Sequence, residues 1–166
     1  MSMNQALLIE LDMEAGRTRK MLERVPDGKF DWKPHDKSYS LGALASHIAE
    51  IPNWMDATLN MDELDFETFE YKPPVATNNA ELLQIFDECI AKAREHLQNA
   101  TDEQLMSDWT MRMGDKIFFT VPKIGVVRDF IFNHTVHHRG QLSVYLRLND
   151  VPLPGIYGPT ADEPDM

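Results

Sequence analysis

Apolar residues recur at steps of three and four in four long segments of the chain, which is the spacing of amphipathic α-helices. The first segment contains Leu7, Leu11 and Leu22 on one stripe and stops at Pro26. Ser40 is a suitable N-cap for the second segment, and Pro52 inside it predicts a kink near residues 48–52 because proline removes a backbone donor. The predicted helices cover residues 4–25, 41–59, 79–99 and 123–149.

The segments between these helices carry turn and strand signals. Residues 60–77 form a long acidic connector, and Thr101 with Gln104 has the capping-box pattern of a short helical turn. Two β-prone runs, 109–113 and 116–121, flank Gly114-Asp115, which suits a type II′ hairpin turn. The pattern therefore predicts an all-α four-helix bundle with a small β-hairpin between the third and fourth helices, as one domain over residues 1–166.

Composition restricts the class of protein further. The 166 residues include 27 acidic and 16 basic side chains, a net charge of −11. Such a surface repels phosphate backbones and anionic lipid, so we expect neither a nucleic-acid partner nor a membrane partner. One cysteine cannot form an internal disulfide, and no apolar run approaches the roughly 18 residues of a membrane span. The N-terminus lacks the basic start of a signal peptide, so we expect a cytoplasmic location.

Three histidines lie on the apolar faces of two predicted helices and so point toward the core of this bundle. His134 and His138 are four residues apart on the fourth helix, so they project about 40° apart near the middle of its apolar stripe. His137 falls on the flank of that stripe; a 134/137 pair is possible by spacing, but the helical wheel favours 134/138. His47 lies on the apolar side of the second helix with Leu44.

Imidazole rings in a core need partners for two nitrogens each, and one divalent ion would serve all three rings at once. Zn²⁺, Ni²⁺, Fe²⁺ and Co²⁺ all accept imidazole, and three protein ligands leave a position open, as in catalytic sites. The alternative is that each histidine is a hydrogen-bonded core residue.

Four further side chains, outside the three histidines, are candidates for a role at the site or in the core. Glu50, three residues after His47, would be an acceptor for its ring or a general base, although solvent exposure is the more ordinary expectation. Gln141 would hydrogen-bond near the metal or pack in the core. Arg139 points away from the histidines and suggests a surface or interface ion pair. Cys89 lies in an apolar stripe and suits packing as a small hydrophobe rather than a nucleophile.

Three blocks of the sequence resemble a known family. They are SLGALASHIAE at 40–50, HTVHHRGQL at 134–142 and PGIYGPTADE at 154–163. The second has the H-x-x-x-H-R-G-Q-L form, and together the blocks resemble the DinB-like family of metal-binding helical bundles.

This resemblance implies an up-down-down-up bundle, usually a homodimer, with His47, His134 and His138 as ligands of one divalent transition metal. The resemblance favours Zn or Ni as the bound metal, and Fe, Co or Mn would also suit the three histidine ligands. Characterised relatives include S-transferases and isomerases that use a low-molecular-weight thiol. We therefore expect a metal-dependent S-transferase or hydrolase acting on a small molecule, with its catalytic residues unknown. The alternative is a non-catalytic binding or scaffold bundle whose metal only steadies the helices.

Overall fold

Helices make up most of the computed structural model, which describes residues 2–165. Within residues 2–165, no helix combines the length and apolar character needed to cross a membrane. The helices are α1 (Met3–Leu22), α2 (Leu41–Glu50), α3 (Trp54–Asn60), α4 (Asn79–Asn99), α5 (Asp102–Met106), α6 (Lys123–Val126) and α7 (His134–Leu148). The strands are β1 (Glu63–Asp65), β2 (Asp108–Met113) and β3 (Lys116–Pro122).

The predicted second helix is divided in two at its proline. The side chain of Ser40 accepts a hydrogen bond from the backbone N–H of Ala43, 3.1 Å away, and so caps α2 as predicted. A 3₁₀ turn, Ile51–Asn53, then separates α2 from α3. Pro52 lies in that turn, so the expected kink is confirmed as a break in the α-helical hydrogen bonding.

The predicted fourth helix is not uniformly α-helical. α6 leads directly into a π-helical segment, Val127–Asn133, which leads into α7. A π-helix contains more residues per turn than an α-helix and is common near functional sites. The expectation of one regular helix from Lys123 to Asn149 was therefore wrong upstream of His134.

The small sheet has the order β1-β2-β3. β2 and β3 are antiparallel around the predicted two-residue loop, where Gly114 has a φ of 53°. A positive φ at the first loop position fits the expected hairpin turn. β1 pairs in parallel with β2 from inside the acidic connector, where Leu64 is opposite Met111. The sequence did not predict this strand, so the sheet is larger than the predicted hairpin.

The core forms where apolar faces of the long helices meet. α4 packs against α1 and α2, and α7 packs against α2 and α1. Each fully buried Leu, Ile or Phe stabilises the fold by about 1.5–3 kcal/mol relative to an exposed one. The largest buried side chains include Leu22, Leu44, Ile48, Met55, Phe86, Leu97 and Trp109. The result is a mostly helical fold with a small sheet.

A buried ion pair joins α1, α7 and the C-terminal tail. Arg139 is 3% exposed and donates to the Glu14 carboxylate at 2.6 Å and to the Thr18 hydroxyl at 2.8 Å. The Tyr157 hydroxyl lies 2.7 Å from the same carboxylate and also contacts the guanidinium. The expected ion pair of Arg139 is thus present, but its expected surface or interface location was wrong, since the pair lies inside the fold and the tail brings Tyr157 onto it.

Removing the charge of Glu14 tests this pair. Glu14→Gln leaves the buried guanidinium of Arg139 without a carboxylate, which costs about 3 kcal/mol of unfolding free energy. Glu10→Gln on the same helix removes an exposed pair with Arg128 and is expected to cost under about 1 kcal/mol. Urea unfolding measures both values. Equal losses of unfolding free energy in the two variants would show that the buried pair stabilises the fold no more than the exposed pair.

The carboxylate of Glu14 also makes the stability of the fold depend on pH. Burial raises the pKa of Glu14, but hydrogen bonds from Tyr157 and Arg139 outweigh burial and lower that pKa below its ordinary value of 4.5. Stability from this group is therefore present above pH 4.5 and is lost as pH falls through the lower folded-state pKa. The stability difference between wild type and Glu14→Gln should stay constant above about pH 5 and shrink on acidification. A stability difference between the two proteins that grows as pH falls would contradict this role of Glu14.

Candidate metal centre

Three imidazole rings from two helices converge on one point. Nε2 of His134 lies 2.8 Å from Nε2 of His138 and 3.4 Å from Nε2 of His47. One ligand atom from each ring can be chosen so that all three lie within 4.8 Å of one another. All three side chains are half-buried. The structure thus brings together the three histidines that the sequence singled out.

Local helix geometry explains this arrangement. α2 packs against α7, which places His47 opposite the two histidines of α7. α7 is regular from His134 onward, so His134 and His138 are one turn apart on the same face. His137 lies on the flank, and its Nε2 is 3.0 Å from the amide nitrogen of Gln141. It does not join the cluster.

Each ring also has an oxygen partner on its outer nitrogen. Nδ1 of His47 is 2.9 Å from Oε1 of Glu50, and Nδ1 of His138 is 2.8 Å from Oε1 of Gln141. Nδ1 of His134 is 3.3 Å from the backbone carbonyl of Phe130. Carboxylate and carbonyl oxygens only accept, so the facing Nδ1 must donate. The proton on Nδ1 leaves Nε2 with a lone pair directed into the cluster.

Glu50 is buried beneath the connector rather than exposed. Its exposed fraction is 1%, and the hydroxyl of Tyr71 donates to the oxygen that His47 contacts. Burial and the adjacent Glu50 carboxylate raise the pKa of the Tyr71 phenol, which stays protonated as a donor. Solvent exposure of Glu50 was therefore the wrong expectation. Sequence reasoning gave Tyr71 no role; its only signal was an aromatic residue in a long connector.

The environment keeps the α7 imidazoles neutral at pH 7. Burial, reinforced by the neighbouring His47, lowers the pKa of His134 below its ordinary value of 6.5. Burial also lowers the pKa of His138, and the hydrogen bond to Gln141 only partly opposes it. Neutral imidazole is the form that binds a metal ion. A set of three nitrogen ligands suits Zn, Ni, Fe or Co better than Ca or Mg, which prefer oxygen.

Two clefts border the histidines. One cleft, of about 420 Å³, has His138 and Gln141 in its wall. The other, of about 340 Å³, has His134 and His137 in its wall. Each cleft is therefore bounded by one ring of the cluster, His138 in the first and His134 in the second.

Other candidate residues are not members of the three-histidine cluster. Cys89 is buried, and burial raises the pKa of its thiol, so it is suited to packing and not to nucleophilic attack. His96 contacts Asn60 and Asp56 near the end of α3. His35 lies on the exposed loop before α2, where its Nδ1 accepts from the backbone N–H of Lys37.

Comparison with known proteins assigns the family. The model of the DinB family matches residues 1–166, and the chain belongs to that family. The uncharacterized protein YrdA of Bacillus subtilis (strain 168) is 28% identical over 155 residues, which cover 92% of this chain and 86% of YrdA. The family resemblance seen in the three sequence blocks is thus confirmed.

Two crystal structures share the fold. A DinB-like protein from Bacillus cereus ATCC 10987 superposes with a TM-score of 0.73 at 24% identity, over 92% of this chain and 97% of that chain. The DinB-like protein YjoA from Bacillus subtilis gives 0.70 at 19% identity, over 91% and 96% of the two chains. At these identities the likeness extends to the fold alone.

The outer hydrogen bonds predict the proton positions on the rings. In metal-free protein near pH 7, long-range ¹H–¹⁵N NMR spectra should show His47 and His134 protonated at Nδ1. Glu50→Leu removes the acceptor of His47 and should return that ring to the Nε2–H form, while His134, held by a backbone carbonyl, keeps its Nδ1 proton. An Nε2–H signal from both rings in the wild type would contradict the assignment.

Proposed function

We propose that the protein binds one divalent transition metal through His47, His134 and His138 and uses it as a metal-dependent enzyme. The observation that carries the proposal is that three Nε2 lone pairs face one another while their Nδ1 atoms face acceptors. Lone pairs crowded at 2.8–3.4 Å repel unless a cation or a proton lies between them. An ion bound by three neutral imidazoles satisfies all of them together.

Zn or Ni is the favoured ion, and Fe, Co or Mn would also accept these ligands. When bound, such an ion supplies a Lewis acid that lowers the pKa of a water or of a thiol in its open position. Glu50 holds the ring of His47, and Tyr71 holds Glu50 in turn. The two clefts that border the histidines, of about 420 and 340 Å³, have room for a small-molecule substrate. We propose S-transfer with a low-molecular-weight thiol or hydrolysis as the reaction.

Measurement of the metal content tests whether the three histidines bind an ion. Protein purified without a histidine tag should take up about one equivalent of Zn²⁺ or Ni²⁺ per chain. His134→Ala should lose at least about 100-fold in affinity, since losing only an outer partner costs about 10–100-fold. His96→Ala, a histidine outside the cluster, should bind as the wild type does. Stoichiometry near zero after reconstitution, or His134→Ala equal to the parent, would refute the metal centre.

A non-catalytic bundle steadied by its metal is the competing function. The two clefts that reach the histidines favour the enzyme, because a purely structural site is usually closed. The two functions differ in what a chelator does. In the enzyme, dipicolinate abolishes turnover of thiol or ester substrates while the thermal midpoint falls only slightly. A large fall in that midpoint would favour the structural role.

The proposal also includes an up-down-down-up order of the long helices and a homodimer. Large apolar side chains on α1 and α7, two helices that pack together, are exposed and support an association surface. These side chains are Ile9, Met13, Val144 and Leu148. Analytical ultracentrifugation of the full chain measures the oligomeric state.

A further inference from the structure

The larger cleft beside the histidines has an unusual charge for this protein. Its lining within residues 2–165 includes an ammonium group and several hydroxyls but no carboxylate, in a chain with 27 acidic and 16 basic residues. We call it the Lys37 cleft. Its lining residues are Pro34, Lys37, Ser38, Tyr39, His138, Gln141 and Tyr145.

The loop that carries Lys37 is held in place by its own hydrogen bonds. The backbone N–H of Leu41 donates to the carbonyl of Trp32 at 2.8 Å, and that of Ser38 donates to the carbonyl of His35 at 2.9 Å. The ring of Trp32 packs edge-on against Tyr145 of α7, with centroids 5.7 Å apart. The loop is therefore anchored on the helix that carries His138, and Lys37 belongs to the wall of the cleft.

The second cleft beside the histidines has an acidic residue in its lining instead of a basic one. Its wall contains the carboxylate of Asp129 together with Asn133, His134 and His137. The two clefts thus differ in charge, with an ammonium group in the lining of one and a carboxylate in the lining of the other. An acidic group on a ligand is therefore attracted to the Lys37 cleft and repelled from the cleft that contains Asp129.

We propose that the Lys37 cleft binds the carboxylate of a small substrate whose reacting atom reaches the centre formed by His47, His134 and His138. Lys37 is then a specificity-determining residue, and the hydroxyls of Ser38, Tyr39 and Tyr145 are further donors to the anion. One ammonium matches the single charge of a carboxylate better than the roughly two charges of a phosphate. This inference rests on the proposed function, because it requires a metal ion at the three histidines.

A pair of thiol probes of equal length tests the inference. The full chain is loaded with Co²⁺ and titrated with 3-mercaptopropionate or 3-mercapto-1-propanol, following the near-ultraviolet absorption of a thiolate bound to the ion. The anionic thiol should bind about fivefold more tightly, the upper range for one exposed charge pair. Because that pair is exposed, the preference should weaken as salt increases.

Matched variants assign the preference to one side chain. Lys37→Met should remove the preference for the anionic thiol, and Lys37→Arg should keep that preference. Lys33→Met is the control, because Lys33 is an exposed lysine of the same loop outside the cleft. This variant should retain the preference. Failure of the wild type to bind Co²⁺ would overturn the proposed function itself. Normal Co²⁺ binding with equal affinity for the two thiols, or an unchanged preference in Lys37→Met, would overturn only the carboxylate site.

Discussion

The histidine cluster depends on one constraint, which is that every nitrogen of three clustered imidazoles needs a partner. The outer nitrogens face Glu50, Phe130 and Gln141, so the inner nitrogens are left with lone pairs that point at one another. Several features of the fold serve this arrangement. The packing of α2 on α7 brings the rings together, and Tyr71 of the connector covers the carboxylate that holds His47.

The parts of the site that were predicted from sequence are those governed by helical periodicity. His134 and His138 lie on a regular α-helix, so a spacing of four residues placed both rings on one face. His47 followed from the apolar stripe of α2. β1 could not be predicted in the same way, because it has three residues and its parallel partner β2 begins more than 40 residues later in the chain. Short strands of this kind exist only through their tertiary pairing.

Glu50 and Arg139 were misjudged for a common reason. Both are charged residues on helices, where exposure is the usual state, and both are buried in the structure. In each case a tyrosine hydroxyl from a non-helical segment supplies a partner, Tyr71 for Glu50 and Tyr157 for Arg139. A helical wheel describes neighbours on the same helix, and it carries no information about a connector or tail that folds over that helix.

The π-helical segment Val127–Asn133 sets the direction in which the α7 histidines point. This segment contains about one residue more than an α-helix with the same number of turns. In an α-helix, one residue corresponds to about 100° of rotation about the axis. α6 lies upstream of this segment and packs against the sheet, and α7 lies downstream and carries the histidines. The side chains of α7 are therefore rotated by about that angle about the helix axis, compared with a continuous α-helix that begins at α6. The number of residues between Lys123 and His134 therefore affects whether the imidazoles face His47. A relative with one residue fewer in this stretch would need another change to aim its rings into the same space.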